Sequence, residues 1–371
     1  MTTTAQLVDS PADPRIGAPI DFERAQSFMS RVMNDLSGAV MGLVCAVGDR
    51  LGLFQALAAS GACTSEQLAH HAGVTERYAR EWLHAVASAG YVEYDAAGAS
   101  YRLPPEHALV IANERSPMFL GGGFQQLLGL ARPLDMLCEA FRHGGGVSQE
   151  AYGDDLLSGM ERMSATWFEN MLVQHWLPTT STVIERLEQG ASVADVGCGS
   201  GRAILQLATS YPRSRFVGFD RFAPVIARAT ARAEARGLSG RVRFEERSTE
   251  DGLPERYDLI TAFDSLHDMV DPLATLRAIH RALEPAGTCL VMEMNCAERL
   301  EDNFGSSGVI LYGTSVLYNT PVTLAQGREA LGTMALPERR IRELCTEAGF
   351  ASIRRLPVMN PFNILYEVLP E

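Results

Sequence analysis

Apolar residues recur every three or four positions from residue 22 to about 58. They are Phe28, Val32, Leu36, Val40, Leu43 and Val44, then Leu51, Leu53, Phe54 and Leu57 beyond Gly48. That spacing predicts helix with one apolar stripe. Thr64–Gln67 has the capping-box pattern and predicts a short helix ending near Gly73. Thr75 is expected to cap the next helix, with Tyr78, Trp82, Leu83 and Val86 on one face and a stop at Gly90. Tyr91–Tyr94 and Ser100–Leu103 read as two strands around Ala96–Gly98, a hairpin. Three helices and a hairpin predict a winged helix-turn-helix over 21–105, after a disordered tail at 1–20.

Residues 106–190 read as mostly helical, with glycine-rich breaks at Gly121–Gly123 and Gly144–Gly146. The run Met160–Trp176 concentrates large apolar side chains, a pattern more often core than binding wall. From 191 to 371 the pattern changes to short apolar runs alternating with helix-period segments. Strands are expected at Ser192–Val196, Arg215–Phe219, Val242–Glu246, Tyr257–Phe263 and Thr288–Met294. Helices are expected at Ala203–Ser210, Ala223–Arg236, Pro272–Leu283 and Glu338–Ala348. Two last runs, Ser352–Leu356 and Asn363–Val368, are joined too closely to be parallel, so they predict an edge hairpin. The fold class is α/β: a doubly wound Rossmann-like sheet with an antiparallel last strand, preceded by the mostly helical winged-helix domain. The expected division is 1–20, 21–105, a helical linker and lid at 106–190, and a ligand-binding domain at 191–371.

Composition narrows the chemistry. The net charge of −13 argues against phosphate backbones and anionic lipid as partners. All 32 basic residues are Arg, which excludes Schiff-base lysine chemistry and lysine-bearing P-loops. Within 64–103, Arg77, Arg80 and Arg102 face Glu66, Glu76, Glu81, Glu93 and Asp95, so the winged helix is too acidic for a DNA reader and fits packing and dimerisation. The seven cysteines are scattered and form no CxxC pair, as expected in a reducing compartment. No basic start precedes an apolar run, and no stretch approaches the ~18 apolar residues of a membrane span. The chain reads as soluble and cytoplasmic.

The chemistry-bearing motif is Val193–Gly201, which closes a strand and opens a helix. Gly197, Gly199 and Gly201 let the backbone turn tightly and let a ligand lie directly on it. Arg202 stands where a dinucleotide fingerprint wants Gly, so the ligand implied has an amino-acid end and a nucleoside end without a diphosphate. Asp195, just before the glycines, suits an ammonium group or ordered water. Asp220 ends the next strand, about 20 positions on, where a carboxylate accepts from both hydroxyls of a ribose; capping the following helix is the alternative use.

These runs, DVGCGSG and FVGFD with the closing hairpin, resemble a class I S-adenosylmethionine-dependent methyltransferase over 191–371. The N-terminal stretch resembles the winged-helix dimerisation domain of small-molecule O-methyltransferases of the actinobacterial type. The resemblance implies S-adenosylmethionine as cofactor, S-adenosylhomocysteine as product, a small-molecule acceptor and a homodimer. It implies that Gly197, Gly199, Gly201 and Asp195 hold the methionine end, with Asp220 and Arg221 at the ribose. Ser248 and Thr249 stand at the adenine, where the usual acidic side chain is missing. Phe263 and Asp264 complete the cofactor wall. His267 matches the general base, since an imidazole of ordinary pKa accepts a hydroxyl proton at neutral pH. Glu293 matches the carboxylate that orients it. The family's further Glu has no counterpart; the best fit falls on Met334–Ala335.

The acceptor wall is expected from Met163, Trp167, Met171, Phe304, Tyr312 and Tyr318, which suit a flat apolar acceptor. N- or S-methylation needs no strong base and stays open. Two rival readings remain. One is C-methylation beside a keto group with a metal at His267 and Asp268, for which Leu311–Leu324 supplies no second imidazole. The other is a cofactor-sensing winged-helix regulator. The apolar stripe at 28–44 exceeds what a small domain can cover, which is the residue-level argument for a homodimer.

Overall fold

The structure, a computed structural model, describes residues 20–327, 331–358, 360 and 362–371. The expected tail lies outside these residues up to position 19, as do two positions of the turn before the last strand.

The first helix is α1 (Phe22–Arg50), opened by Asp21, whose carboxylate accepts from the N–H groups of Glu23 and Arg24. Its first two-thirds are exposed throughout; its buried residues are Gly42, Cys45, Ala46 and Gly48. By length and composition α1 is apolar enough to cross a membrane. That corrects the expectation from uninterrupted runs, because isolated Ser, Gly, Asn and Asp break the run without making the helix polar overall.

α2 (Leu53–Ser60), α3 (Ser65–Ala72) and α4 (Glu76–Ser88) follow. The Thr64–Gln67 capping box forms as its spacing requires, whereas the Thr75 side chain makes no cap bond. Gly48 lets α1 lie directly on the Trp82 ring, whose indole N–H donates to the Val44 carbonyl at 3.0 Å. Strands β1 (Glu93–Asp95) and β2 (Ser100–Arg102) pair antiparallel as the wing.

Helices α5 (Pro105–Ile111), α6 (Gly121–Ala131), α7 (Leu134–His143), α8 (Gly153–Trp167) and α9 (Val183–Gln189) form the middle region. Gly121–Gly123 open α6 instead of breaking it. Gly122 belongs to a glycine contact between α6 and α8, in which its Cβ would stand 2.7 Å from the Gly159 carbonyl oxygen and a Cβ on Gly159 would stand 2.5 Å from the Gln126 nitrogen. α8 continues as a π-helical segment, Phe168–Trp176. Arg162 of α8 makes paired 2.7 Å bonds to Asp49 of α1, and Arg228 reaches Asp154 at 2.6 Å, so α8 is tied both to the winged helix and to the sheet domain.

The remaining strands are β3 (Ser192–Val196), β4 (Arg215–Asp220), β5 (Val242–Glu246), β6 (Tyr257–Phe263), β7 (Leu283–Met294), β8 (Ser352–Arg355) and β9 (Asn363–Leu369). Helices α10 (Arg202–Ser210), α11 (Ala223–Ala235), α12 (Pro272–Ala282), α13 (Ser306–Thr314), α14 (Thr320–Leu324) and α15 (Glu338–Ala348) connect them. The sheet order is β5-β4-β3-β6-β7-β9-β8, with β9 antiparallel to both neighbours and the first five strands parallel. Alternate residues feed two cores. Val193, Leu259 and Leu290 pack with Ile204, Leu207 and the π-helical Leu172 and Trp176; Ala194, Ile260 and Val291 pack with Leu276, Ile279 and Leu344. The order reverses at β3, which opens a crevice at the carboxyl ends of β3, β4 and β6.

Candidate active site

Gly197, Gly199 and Gly201 all take left-handed backbone angles, with φ of 69°, 51° and 77°. The N–H groups of Gly197 and Cys198 turn back to the Phe219 carbonyl, at 2.9 and 3.0 Å. A Cβ on Gly201 would stand 2.6 Å from the Phe244 ring, and one on Gly197 would strike Ser265. A Cβ on Gly199 would meet nothing within 4 Å. Two glycines are thus demanded by packing, and the third borders open space.

Asp220 is tied to this turn. Its carboxylate accepts from Gly199 N–H at 3.0 Å and from Phe222 N–H at 2.9 Å. The second bond holds the turn before α11, which has no side-chain cap of its own, so the expected capping use is not made; the first couples the carboxylate to the glycine hinge. Burial raises its pKa, against the pull of those two N–H groups. Arg221 follows, half-buried. Asp195 is buried on β3 and accepts from the Thr261 hydroxyl at 2.6 Å. Burial pushes its carboxyl up to about 7. A nucleoside amino acid carrying an ammonium and a sulfonium fits this set: two carboxyls whose pKa values desolvation has raised, beside an open glycine.

Ser248 precedes a tight turn, and Thr249 is buried with its hydroxyl 3.9 Å from the Met269 sulfur. Phe263 departs from the expected cofactor wall: its side chain is in the core, stacked on Phe168 at 5.7 Å between centroids. Asp264 has φ 51°, rare for a residue with a Cβ, and its carboxylate receives a bond from the Asn363 amide. Burial and the Glu293 charge push Asp264 up to about 7.

His267 is 3% exposed. Its Nδ1 stands 2.7 Å from Glu293 Oε2, while Glu293 Oε1 accepts from the N–H groups of Leu266 and His267 at 2.8 and 3.2 Å. Glu293 therefore fixes both the ring and the turn bearing it. Nε2 stands 3.7 Å from Asp268 Oδ1. Burial opposes charge on the ring, but Glu293, Asp268 and Asp264 outweigh it and hold the imidazolium up to about 10. The ordinary imidazole pKa expected for a base at neutral pH is therefore absent while the carboxylates are uncountered. Among the described residues no group of three or more His, Cys, Asp or Glu could hold a metal.

The acceptor candidates scatter. Trp167 stacks on Phe362 at 5.9 Å, and the Phe362 carbonyl accepts from Asn295 N–H just past β7, which puts the indole at the carboxyl edge of the sheet. Met163 and Met171 are half-buried on the same helical run. Tyr318 is buried edge-on against Tyr152, with its hydroxyl 3.1 Å from the Gln149 amide. Tyr312 is half-buried, with its hydroxyl 3.5 Å from Asn303. Phe304 stands 74% exposed. The sequence reading missed Thr261, Asn363, Asn319 and Thr333.

Comparison with known proteins agrees with this geometry. Residues 187–332 match the family described as "Methyltransferase domain", and residues 39–113 match the "Rv2258c-like winged HTH domain". A ubiquinone biosynthesis O-methyltransferase of Pseudomonas syringae pv. tomato is 31% identical over 109 residues, 29% of this chain and 45% of that protein. The chain spans less than half the length of such curated relatives. Among solved structures, the mitomycin 7-O-methyltransferase MmcR superposes with a TM-score of 0.65 at 20% identity, covering 94% of this chain and 99% of that one. Human N-acetylserotonin methyltransferase in complex with SAM gives 0.67 at 19% identity, covering 92% and 98%. At such identities these two likenesses show a shared fold.

Proposed function

We propose, for a chain whose residues 187–332 match the methyltransferase-domain family and whose residues 39–113 match the Rv2258c-like winged-helix family, an S-adenosylmethionine-dependent transfer of a methyl group to a hydroxyl of a small acceptor. The observation that carries it is the glycine hinge at 197–201, open at Gly199 and bound through that residue's N–H to Asp220. When bound, the cofactor supplies a methyl on a sulfonium. Asp195 with the glycine turn takes its methionine end, Asp220 its ribose, and Ser248 or Thr249 its adenine edge. Choice of a hydroxyl acceptor draws on the named activities of similar proteins.

His267 is the proposed proton acceptor, oriented by Glu293. The ring becomes competent once a bound cation counters the field of Glu293, Asp268 and Asp264, because a nearby positive charge lowers an imidazolium pKa. Trp167, Met171 and Met163 form the acceptor wall. The exposed stripe on α1 supports a homodimer, with a second copy covering it. The seven free cysteines support a reducing, cytoplasmic setting.

The test is methyl transfer from labelled S-adenosylmethionine to a panel of phenols, naphthols and hydroxylated heterocycles, with S-adenosylhomocysteine formation as the readout. Acceptor-dependent product is expected, and His267→Ala lowers turnover by ~10²–10⁴-fold with cofactor affinity intact. Cofactor binding without transfer to any hydroxyl in the panel would overturn the acceptor assignment, and unchanged turnover in His267→Ala would remove the base.

A further inference from the structure

One buried polar chain has no part in the roles above. Asn319 ends the π-helical turn Ser315–Asn319 and is 5% exposed. Its amide N–H donates to Asp268 Oδ1 at 2.7 Å, and its carbonyl oxygen accepts from the Thr333 hydroxyl at 2.6 Å. Thr333, also buried, donates its own N–H to Ser315 Oγ at 3.2 Å. The Asp268 carboxylate, which only accepts, fixes which end of the amide faces it, and the Thr333 hydroxyl then donates to the carbonyl oxygen left on the other side. Single π turns of this kind are often found where a helix must aim a side chain.

The consequence is read at Asp268. Its carboxylate and the His267 ring are neighbours of opposite charge, yet Oδ1 stops 3.7 Å from Nε2, beyond hydrogen-bond range. Glu293 of β7 is committed to Nδ1 and to two backbone N–H groups, and Asp264 at the end of β6 is committed to Asn363. Asp268 is the remaining carboxylate beside the ring, and its Oδ1 is held by the Asn319 amide. Its side chain is 35% exposed, so space exists for it to move.

We propose that Asn319, keyed by Thr333, is a positioning residue that holds Asp268 off His267 Nε2, so that the one ring nitrogen not spent on Glu293 stays free to meet the acceptor. Without that restraint the carboxylate closes on Nε2, and the ring is clamped between two carboxylates and can accept nothing. Thr333 adjoins Met334–Ala335, the stretch where the resemblance offered no further Glu. The chain supports its histidine site from there with a hydroxyl and an amide. This inference rests on His267 being the proton acceptor.

The test is nitrogen NMR of the full-length protein labelled at histidine, with His267 assigned by His267→Gln. In Asn319→Ala the Nε2–H proton of His267 is expected to move downfield as a carboxylate bond forms. Thr333→Val should shift it the same way by less, and Thr333→Ser should keep the native signal. Affinity for S-adenosylhomocysteine is expected to stay at the wild-type value. With an acceptor from the panel, kcat falls about tenfold or more while KM stays, since the ring's proton-accepting role is what is lost. An unmoved Nε2 signal in folded Asn319→Ala overturns the proposal; if that variant fails to fold, an unmoved signal in Thr333→Val does so. A moved signal with no hydroxyl methylated would leave the positioning role standing and sink the transfer reading instead.

Discussion

The crevice at the carboxyl ends of β3, β4 and β6 and the outer face of α1 are both incomplete surfaces, but of opposite kinds. In the crevice, desolvation has raised the pKa values of Asp195, Asp220 and Asp264, and the charges of Arg221 and His267 offset that rise only in part, for Asp220 and Asp264. On α1, Phe28 and Val40 stand 63% and 61% exposed in an apolar row that nothing among the described residues covers. The first surface calls for a small cation with hydroxyls. The second calls for another apolar surface of similar length. The difference teaches that the ligand and the partner are specified by different physics, so each can be removed without the other.

The largest expected effect lies in the crevice. In Gly197→Ala the new Cβ strikes Ser265 from a left-handed backbone, so cofactor binding should vanish in calorimetry and stability should fall by about 2–4 kcal/mol. Next comes α1. Leu36→Glu with Val40→Glu should convert a dimer to a monomer in light scattering, weakening association by about 100-fold or more, with cofactor affinity retained. A monomeric wild-type protein would break that half of the comparison.

Asp195→Asn sharpens the contrast through pH. The folded carboxyl titrates at about 7, above its ordinary 3.8, so the folded state holds this proton more tightly than the unfolded chain does. The group therefore costs nothing below about pH 4; its penalty grows between pH 4 and 7 and is full above 7. Asn, which still accepts from Thr261, should raise stability by roughly 2–4 kcal/mol at pH 8 and by nothing at pH 4, while weakening cofactor binding. Equal melting temperatures at pH 8 would count against the raised carboxyl. The smallest effect is Gly199→Ala. Its Cβ meets open space, so only the left-handed backbone penalty of about 1–2 kcal/mol should appear in melting, yet binding should fail because the Cβ occupies the ligand's place.

What the sequence made legible was mostly local. The period of apolar residues located α1 to α4, and the Thr64–Gln67 cap forms as its spacing demands. Strand–helix alternation yielded the parallel sheet, and the short final link yielded the antiparallel β9. The glycine turn and Asp220 were readable because their geometry follows from adjacent residues. The missed parts depend on partners far along the chain. Gly121–Gly123 looked like a break because the reason for Gly122, close approach to Gly159, lies about 40 positions on. Phe263 looked like a ligand wall until Phe168 stacked on it. The Glu293 partner of His267 was legible through the resemblance, but the shift it produces together with Asp268 and Asp264 was not, because that depends on the burial of the whole group. Asn319 and Thr333 meet Asp268 only through the tertiary fold.

Everything proposed for this chain depends on the glycine hinge and Asp220 receiving a nucleoside. The most direct measurement is calorimetric titration of S-adenosylhomocysteine into wild-type protein and into Asp220→Ala. One saturable site per chain is predicted for the wild type, with binding lost or severely weakened in the variant. No heat of binding in the wild type at millimolar ligand, or equal affinity in the two proteins, would contradict it.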